Sequence, residues 1–155
     1  MTMRTRRVAV RGIIFSNDKL LVATFRQDDG SEGDYWGTFG GGLDIDEGLV
    51  AGLEREMIEE TGIAAKVGKL LFIQQFNGRN RDHLEFFFHI KNPEDYDKIN
   101  LEKTTHGSLE LVRAAFVDPK THSLKPTFLS KIDIKDYIEN DRPVFLYKEV
   151  RKDID

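Results

Sequence analysis

Apolar runs in the first quarter of the chain are short and separated by polar breaks, which is typical of strands. Residues 7–15, RVAVRGIIF, and residues 19–25, KLLVATF, are rich in β-branched residues and flank the polar break SND, so they predict a hairpin. The next segment, residues 26–42, holds six glycines among 17 positions. This composition predicts a loop with one short strand near residues 35–39.

The pattern changes to helical spacing after this loop. Residues 46–61 contain no proline and repeat apolar side chains at helical intervals before Gly62, a typical helix end. The pattern therefore predicts one helix. With Leu49 placed at zero and an advance of about 100° per residue, Leu53 lies at about 40° and Glu60 at about 20°. Glu60 is thus predicted to lie within the apolar stripe of the helix.

The rest of the chain predicts further strands and a second helix. Strand-like runs lie at residues 69–76, 83–90 and 109–117, a polar loop with one helical turn at 91–108, helical spacing at 126–141, and a strand or packed tail at 143–150. The run FFF in the second strand indicates burial on both faces. Mixed strands with a central and a C-terminal helix predict an α/β layered domain whose helices cover a sheet. The length of 155 residues predicts one domain over residues 1–155.

Composition excludes several classes of function. The chain has no cysteine, which excludes disulfides, thiolate metal sites and a cysteine nucleophile. No apolar stretch approaches the length of about 18 residues that a membrane span needs, and no signal peptide is evident, so we expect a cytoplasmic protein without membrane contact. The net charge of −4 argues against extended nucleic acid as a partner. Arg4, Arg6 and Arg7 are better interpreted as a solvated tail than as a phosphate contact.

Three glutamates crowd the predicted helix. Glu56, Glu59 and Glu60 lie three and four residues apart, so they repel one another unless a cation compensates. A charged Glu60 in the apolar stripe would cost several kcal/mol without a partner. Arg55 can pair with Glu59 four residues on, and hard carboxylate oxygens select Mg²⁺ or Mn²⁺.

The spacing of this segment resembles the Nudix box. That pattern is Gly, five residues, Glu, seven residues, and then Arg-Glu-apolar-any-Glu-Glu-any-Gly-apolar. It is filled here, without a departure, by Gly41, Glu47, Arg55, Glu56, Met57, Glu59, Glu60, Gly62 and Ile63. The resemblance extends to the predicted hairpin, to YWGTFGG before the box and to LELVRAAFVD after it. Just outside the defining positions, Phe39 stands where many members carry proline, and Asp46 replaces the usual glycine.

The resemblance implies a fold, an activity and a set of roles. The fold would be an α/β/α sandwich with a mixed central sheet and flanking helices. The activity would be hydrolysis of a nucleoside diphosphate linked to another moiety, with Mg²⁺ or Mn²⁺ on the diphosphate and water attacking phosphorus. The implied metal ligands are Glu56, Glu60, Glu59 and the carbonyl of Gly41. Arg55 and Glu47 would complete the catalytic set, with Glu47 orienting the loop or the arginine, and Glu56 is the first candidate for the general base.

Substrate contacts are less defined than metal ligands. Candidates are Arg26, Trp36, Glu85 and Glu110, of which Glu85 and Glu110 could also supply a base or a further ligand. Trp36, Tyr35 and Phe76 could stack on a base, although aromatic residues beside strands more often belong to the core. In the family, a proline or tyrosine roughly 15 to 18 residues beyond the box accompanies the branches that act on ADP-ribose and on dinucleoside polyphosphates. Residues 63–92 contain neither residue. This favours a nucleoside triphosphate or a related small nucleotide. A homodimer is expected only by analogy with the family.

Two other functions stay open at the level of sequence. A catalytically silent sensor of the same fold would bind a nucleotide and regulate a partner, but it need not keep a complete set of carboxylates. A plain interaction domain with an acidic helix would leave the match to the box unexplained. The four histidines, His83, His89, His106 and His122, show no paired metal spacing and are interpreted as surface or packed residues.

Overall fold

The computed structural model describes residues 3–104 and 106–149. Across these residues the chain forms ten strands, three α-helices and three short 3-10 turns. The strands are β1 (Thr5–Ile13), β2 (Phe15–Ser16), β3 (Lys19–Arg26), β4 (Glu32–Gly37), β5 (Gly40–Gly42), β6 (Val67–Asn77), β7 (Arg81–Ile90), β8 (Leu111–Val117), β9 (Leu124–Lys125) and β10 (Phe145–Glu149). The helices are α1 (Leu49–Thr61), α2 (Gly107–Glu110) and α3 (Ile134–Glu139), and the 3-10 turns are Pro93–Tyr96, Leu101–Lys103 and Thr127–Ser130.

The strands of the described residues divide between two five-stranded sheets. The first sheet has the order β10-β6-β7-β1-β5, and the second has the order β2-β3-β4-β9 with β8 also paired to β3. Both are mixed, because β1 runs parallel to β7 and β4 runs parallel to β9 while other pairs are antiparallel. The predicted α/β class, with mixed pairing and flanking helices, is confirmed. The division into two sheets was not predicted.

The predicted N-terminal hairpin is wrong over most of its length. Phe15 and Ser16 pair with Leu20 and Lys19, but these two pairs are the whole ladder between β2 and β3. The longer strand β1 instead lies between β5 and β7 in the other sheet. Both edges of β1 are therefore already paired, which leaves β3 to form its ladders with β4 and β8.

Two apolar clusters fill the molecule on opposite faces of the first sheet. Phe88 belongs to the cluster that contains Leu53 and Met57 of α1, whereas Phe87 belongs to the cluster that contains Phe128. Neighbouring residues of a strand point to opposite faces. The burial of the FFF run on both faces is thus confirmed, and helical segments cover each face.

Helix α1 ends as predicted and begins later than predicted. Gly62 adopts the left-handed conformation, with φ of 73°, and its N–H donates to the carbonyl oxygen of Ile58 at 2.9 Å. The prediction started the helix at Asp46, but Asp46 itself has φ of 65°, a left-handed conformation that interrupts any helix. The first helical residue is Leu49, after the extended Gly48.

The C-terminal helix is shorter than predicted. The helical spacing over residues 126–141 resolves into the 3-10 turn Thr127–Ser130 and the separate helix α3. Asp133 causes the new start, because its side chain accepts a hydrogen bond from the N–H of Asp136 at 3.2 Å. The last predicted element forms the edge strand β10, although Val150 lies outside the described residues.

The two departures from the Nudix pattern have different structural consequences. Phe39 is fully buried and joins the cluster beneath α1. Asp46 is exposed and takes a backbone conformation that glycine adopts without a steric penalty. None of the helices in the described part of the chain combines the length and the apolar character that a membrane crossing requires.

The left-handed backbone at Asp46 yields a stability prediction. We expect Asp46→Gly to raise the free energy of unfolding by about 0.5 kcal/mol, because relief of the Cβ contact exceeds the added entropy of the unfolded chain. Asp46→Ala should lower it by about 1 kcal/mol, since alanine lacks the local hydrogen bonding that helps aspartate adopt this conformation. Urea unfolding of both variants provides the measurement, and equal stability of the two would contradict the assignment.

Candidate active site

The glycine strand β5 passes so close to its neighbours that side chains are excluded. Gly40 has φ of 132°, and a Cβ there would stand 2.0 Å from the carbonyl oxygen of Val10. At Gly41 a Cβ would stand 2.7 Å from the carboxylate of Glu56. Real Cβ atoms do not approach other atoms this closely. The glycines therefore let the backbone of β5 contact the carboxylates of α1 directly.

Glu60 is buried, as its position in the apolar stripe predicted. Its side chain is 2% exposed, and one carboxylate oxygen accepts a hydrogen bond from the N–H of Gly40 at 3.0 Å. Burial raises the pKa of Glu60 to about 8, despite the opposing effects of this hydrogen bond and of Arg11. The neighbouring carboxylates of Glu56 and Glu110 raise the pKa further.

Glu56 lies half-buried between β5 and Arg55. Burial raises the pKa of its carboxyl group, and the charge and hydrogen bond of Arg55 lower it. The Nη1 atom of Arg55 donates to Glu56 at 3.1 Å. Glu56 thus differs from Glu60 in having a cation in direct contact, which favours its charged form.

Arg55 joins the start of the helix to its carboxylates. It donates to both carboxylate oxygens of Glu47, at 2.8 and 3.0 Å, and to the carbonyl of Gly42 at 3.2 Å. The hydrogen bonds that Glu47 accepts from Arg55 and from the backbone N–H of Asp44 lower its pKa to about 2. Glycine at position 52 makes room for this pair, since a Cβ there would stand 2.9 Å from a carboxylate oxygen of Glu47.

Glu59 is directed away from the buried pair. Its carboxylate accepts a hydrogen bond from Arg55 at 3.1 Å, so the predicted pairing four residues apart is confirmed. The same oxygen lies 3.1 Å from Nδ1 of His106, and the backbone N–H of His106 donates to the carbonyl of Glu59 at 2.9 Å. His106 was interpreted from sequence as a surface or packed histidine, and its contact with the predicted site was missed.

Arg11 forms a second charged link to the glycine strand, two residues before the contact made by Arg55. Its Nε donates to Glu85 at 2.8 Å, and its Nη1 donates to the carbonyl oxygens of Gly40 at 3.0 Å and Thr38 at 3.3 Å. Gln74 donates to the other oxygen of Glu85 at 3.1 Å. Because Glu85 is buried and fully engaged, it is poorly placed to accept a proton from water.

Two connected cavities open beside these groups. The first, the carboxylate cleft, has a volume of about 530 Å³ and contains Glu56, Glu60 and the glycine strand. The second, the aromatic cavity, has a volume of about 630 Å³ and contains Phe25, Tyr35 and Phe76. Arg7, Arg11 and Phe25 line both. The two cavities therefore form one continuous groove.

The structure places three of the four predicted substrate contacts along this groove. Arg26 and Glu110 line the carboxylate cleft, and Glu85 lines the aromatic cavity. Trp36 lines neither cavity and packs against the apolar cluster that contains Phe128, as expected for a core aromatic residue. The reason is the alternation of β4, which directs Tyr35 into the cavity and Trp36 to the opposite face, where Arg113 covers the Trp36 ring at 5.1 Å.

Several groove residues were missed by sequence reasoning, and the interpretation of Arg7 as part of a solvated tail is wrong, because Arg7 lies in β1, is half-buried and lines both cavities. Arg7 and Arg11 lie four residues apart in β1 and so share one face of the strand with the buried Ala9. Two cations on one face of an otherwise apolar strand are a signal that could have predicted an anion site. His83, which stacks on Phe76 with ring centroids 4.4 Å apart, and Lys125, which lies 4.3 Å from the Tyr35 ring centre, carry no such signal.

Comparison with known proteins identifies the family. The NUDIX domain profile matches residues 5–133. The chain belongs to the NUDIX domain family. The resemblance seen in the box is thus confirmed. A MutT-like protein from Streptomyces ambofaciens is 31% identical over 97 residues, which span 63% of this chain and 59% of the relative, less than two thirds of its length.

Solved structures of the NUDIX family share the fold. A MutT protein from Methanosarcina mazei Go1 superimposes with a TM-score of 0.65 at 18% identity, covering 90% of this chain and 94% of the other. A UDP-X diphosphatase superimposes with a TM-score of 0.68 at 20% identity, covering 94% and 69%. Identities this low show the fold alone, and the expected Nudix-type fold is confirmed.

Arg11 carries a stability prediction for this NUDIX domain. Arg11→Met should lower the free energy of unfolding by about 3–5 kcal/mol, because it leaves the carboxylate of Glu85, 9% exposed, without its cation. Adding Glu85→Gln to Arg11→Met should recover most of the loss. The matched control is Arg4→Met, which breaks the Arg4–Asp82 pair at the surface and should cost at most about 1 kcal/mol. An equal loss of unfolding free energy in Arg11→Met and Arg4→Met would show that the protein tolerates Glu85 as an uncompensated charge.

Glu60 carries a pH prediction. An unfolded glutamate releases its proton near its ordinary pKa of 4.5, whereas folded Glu60 holds it up to about pH 8. Between these values the folded state binds more protons, so the free energy of unfolding should fall as pH rises, by at most about 1.4 kcal/mol per pH unit. Glu60→Gln should flatten this slope and stabilise the protein at pH 8. Chemical denaturation of the wild type and of Glu60→Gln at pH 5 and 8, in excess chelator, measures both effects. An equal change in the free energy of unfolding of the two proteins between these pH values would exclude a raised pKa for Glu60.

Proposed function

We propose that the chain hydrolyses a phosphoanhydride bond in a nucleoside diphosphate linked to another moiety, with the help of a divalent cation. The observation that carries the proposal is the carboxylate cleft, in which Glu56 and Glu60 face the same space as Arg7, Arg11 and Arg26. Carboxylates suit a hard cation, and arginines suit the phosphate oxygens that the cation would share.

The donor chemistry of the cleft fits a divalent cation. Glu60 is buried with a raised pKa, so a cation would provide the charge compensation that its surroundings lack. The side chain missing at Gly41 opens the approach to Glu56. Among residues 3–104 and 106–149, no three His, Asp or Glu side chains have the spacing of a preformed metal site. An ion held by two carboxylates would therefore complete its coordination with backbone carbonyl, substrate or water oxygens.

Glu56, Glu60 and the carbonyl of Gly41 would hold the ion in this proposal. When bound, a divalent cation would lower the pKa of the attacking water and neutralise charge on the leaving phosphate. Glu59 would offer the ion one carboxylate oxygen, because Arg55 and His106 both contact the other. Mg²⁺ is the expected ion and Mn²⁺ the alternative, because both prefer oxygen ligands.

The remaining residues position the carboxylates, the substrate and the water. Arg55 orients Glu56 through its hydrogen bond and is itself fixed by Glu47. Glu110 is exposed, lines the cleft and carries a carboxylate free to accept a proton, as Glu56 does when charged. Glu56 and Glu110 are therefore the candidates for the base. Glu85 is the weaker candidate because Arg11 and Gln74 occupy its oxygens.

The nucleoside would lie in the aromatic cavity. Phe25, Tyr35 and Phe76 provide faces on which a base can stack, and the cavity opens into the carboxylate cleft through residues that both share. In this arrangement the base would lie beside the proposed diphosphate site. A nucleoside triphosphate or a related small nucleotide is the proposed substrate class. The neighbour described as a UDP-X diphosphatase shares only the fold, so its substrate does not transfer.

A nucleotide sensor of the same fold is the second candidate. It would use the aromatic cavity and the arginines in the same way but would have no use for a water-activating cation. The burial of Glu60 against the glycine strand favours the enzyme, because a buried carboxylate without a cation in contact costs stability without aiding nucleotide binding. The predicted homodimer stays a prediction.

Substitution of the buried carboxylate tests the proposal. With a panel of nucleotides and Mg²⁺, the wild type should release phosphate, pyrophosphate or monophosphate, and excess chelator should abolish the release. Glu60→Gln should lower turnover by at least ~10²-fold, because it removes both a ligand and its charge. The matched control is Glu54→Gln, which changes an exposed glutamate of the same helix and should leave turnover unchanged.

Metal binding provides the second readout. Mg²⁺ should stabilise the wild type against unfolding by about 2.7 kcal/mol when free metal exceeds its dissociation constant a hundredfold. The Glu60→Gln variant should gain much less. Hydrolysis that persists in chelator would refute the proposal, whereas nucleotide binding without any hydrolysis would favour the sensor.

A further inference from the structure

A third cavity adjoins the carboxylate cleft at the end of the glycine strand. It has a volume of about 330 Å³ and is lined by Arg6, Arg7 and Arg81 together with Gly42 and Asp44. Arg7 and Gly42 line the carboxylate cleft as well. The two spaces therefore meet at Gly42, a position without a side chain, and we call the third space the arginine cavity.

Among the described residues, Arg7 has no hydrogen-bond or ion-pair partner for its side chain, unlike Arg11 and Arg55. Arg11 and Arg55 each donate to carboxylates and to backbone carbonyls of the glycine segment. Arg7 is half-buried, yet it forms no ion pair and donates no side-chain hydrogen bond to any residue in the part of the chain that the structure describes. No described residue therefore holds this guanidinium, which leaves its five N–H donors available to a ligand in the cavity.

Charges of both signs surround Arg7. Burial lowers the pKa of Arg7, and the cations Arg11 and Arg81 lower it further, whereas the carboxylates of Glu85 and Glu56 raise it. Asp44, the one acidic side chain lining the arginine cavity, is 72% exposed and lies 3.6 Å from Arg55. The arginine cavity therefore combines a concentration of positive charge with a passage to the diphosphate site.

We propose that Arg7 and Arg81 form a subsite for a phosphate group beyond the scissile diphosphate. The inference rests on the proposed function and sharpens it, because it predicts that the substrate carries a third phosphate rather than a sugar. With the base in the aromatic cavity and the diphosphate in the carboxylate cleft, the next group along the substrate reaches the arginine cavity.

A terminal phosphate and a sugar are the two groups that could occupy the arginine cavity, and their chemistry decides which one fits. A guanidinium binds a phosphate through paired, charge-assisted hydrogen bonds, and it does so more tightly than it binds neutral hydroxyls. A terminal phosphate would also separate the like charges of Arg7 and Arg81. A neutral sugar would leave both cations uncompensated, so the cavity discriminates against it.

Kinetics with two substrates that share one base test the subsite. For Arg7→Gln and Arg81→Gln, kcat/KM for a nucleoside triphosphate should fall roughly tenfold, the effect of losing about one charge-assisted hydrogen bond, mainly through KM. Arg81→Gln, which lines the arginine cavity only, should change kcat/KM for the corresponding nucleoside diphosphate sugar by less than about twofold, whereas Arg7→Gln, which also lines the carboxylate cleft, should lower it by less than it lowers kcat/KM for the triphosphate. Arg79→Gln is the matched control, since Arg79 is exposed near the same end of β7 and lines none of the three cavities.

Binding of inorganic tripolyphosphate gives a readout that needs no turnover. In chelator, calorimetry should show tripolyphosphate binding to the wild type and to Arg79→Gln, and roughly tenfold weaker binding to Arg7→Gln and Arg81→Gln. Equal kinetic losses for both substrates, or unchanged tripolyphosphate affinity in both variants, would overturn the subsite. Absence of any hydrolysis by the wild type would instead refute the proposed function, and tripolyphosphate binding would still decide the subsite.

Discussion

The guanidinium of Arg11 links parts of the molecule that are distant in sequence. It is held in β1, binds the buried Glu85 of β7, and donates to the carbonyl of Gly40 in the glycine strand. The N–H of that same glycine donates to Glu60. One side chain thus connects the first sheet to the carboxylates of α1. The position of the candidate site depends on this chain of contacts more than on the helix alone.

The crowding of glutamates on α1 is resolved in two different ways. Arg55 compensates the outer carboxylates directly, since it contacts Glu47, Glu56 and Glu59. Glu60 has no cation in contact, and its burial favours the protonated form in the absence of metal. Arg55 therefore stabilises the apo helix, whereas a cation bound at Glu60 would displace the proton that this carboxyl group holds at neutral pH.

The groove shows an ordered change of chemistry along its length. Aromatic faces give way to buried carboxylates and then to unpaired arginines, and Arg7 lines all three cavities. A nucleotide has the same order of groups, with an aromatic base followed by phosphates that share a cation. This correspondence, more than the size of any one cavity, connects the proposed function to the proposed subsite for a third phosphate.

The sequence alone determined the local features of this protein. Helical spacing placed Leu53, Met57 and Glu60 on the buried face, and Gly62 ended the helix, because both depend on residues within a few turns of one another. Tertiary structure decided the rest. The pairing of β1 with β7, the contact of His106 with Glu59 and the exclusion of Trp36 from the groove join residues far apart in the chain. Strand pairing and the walls of a cavity depend on contacts between segments that are distant in sequence. The local pattern of one segment does not show which strand edges elsewhere are already paired.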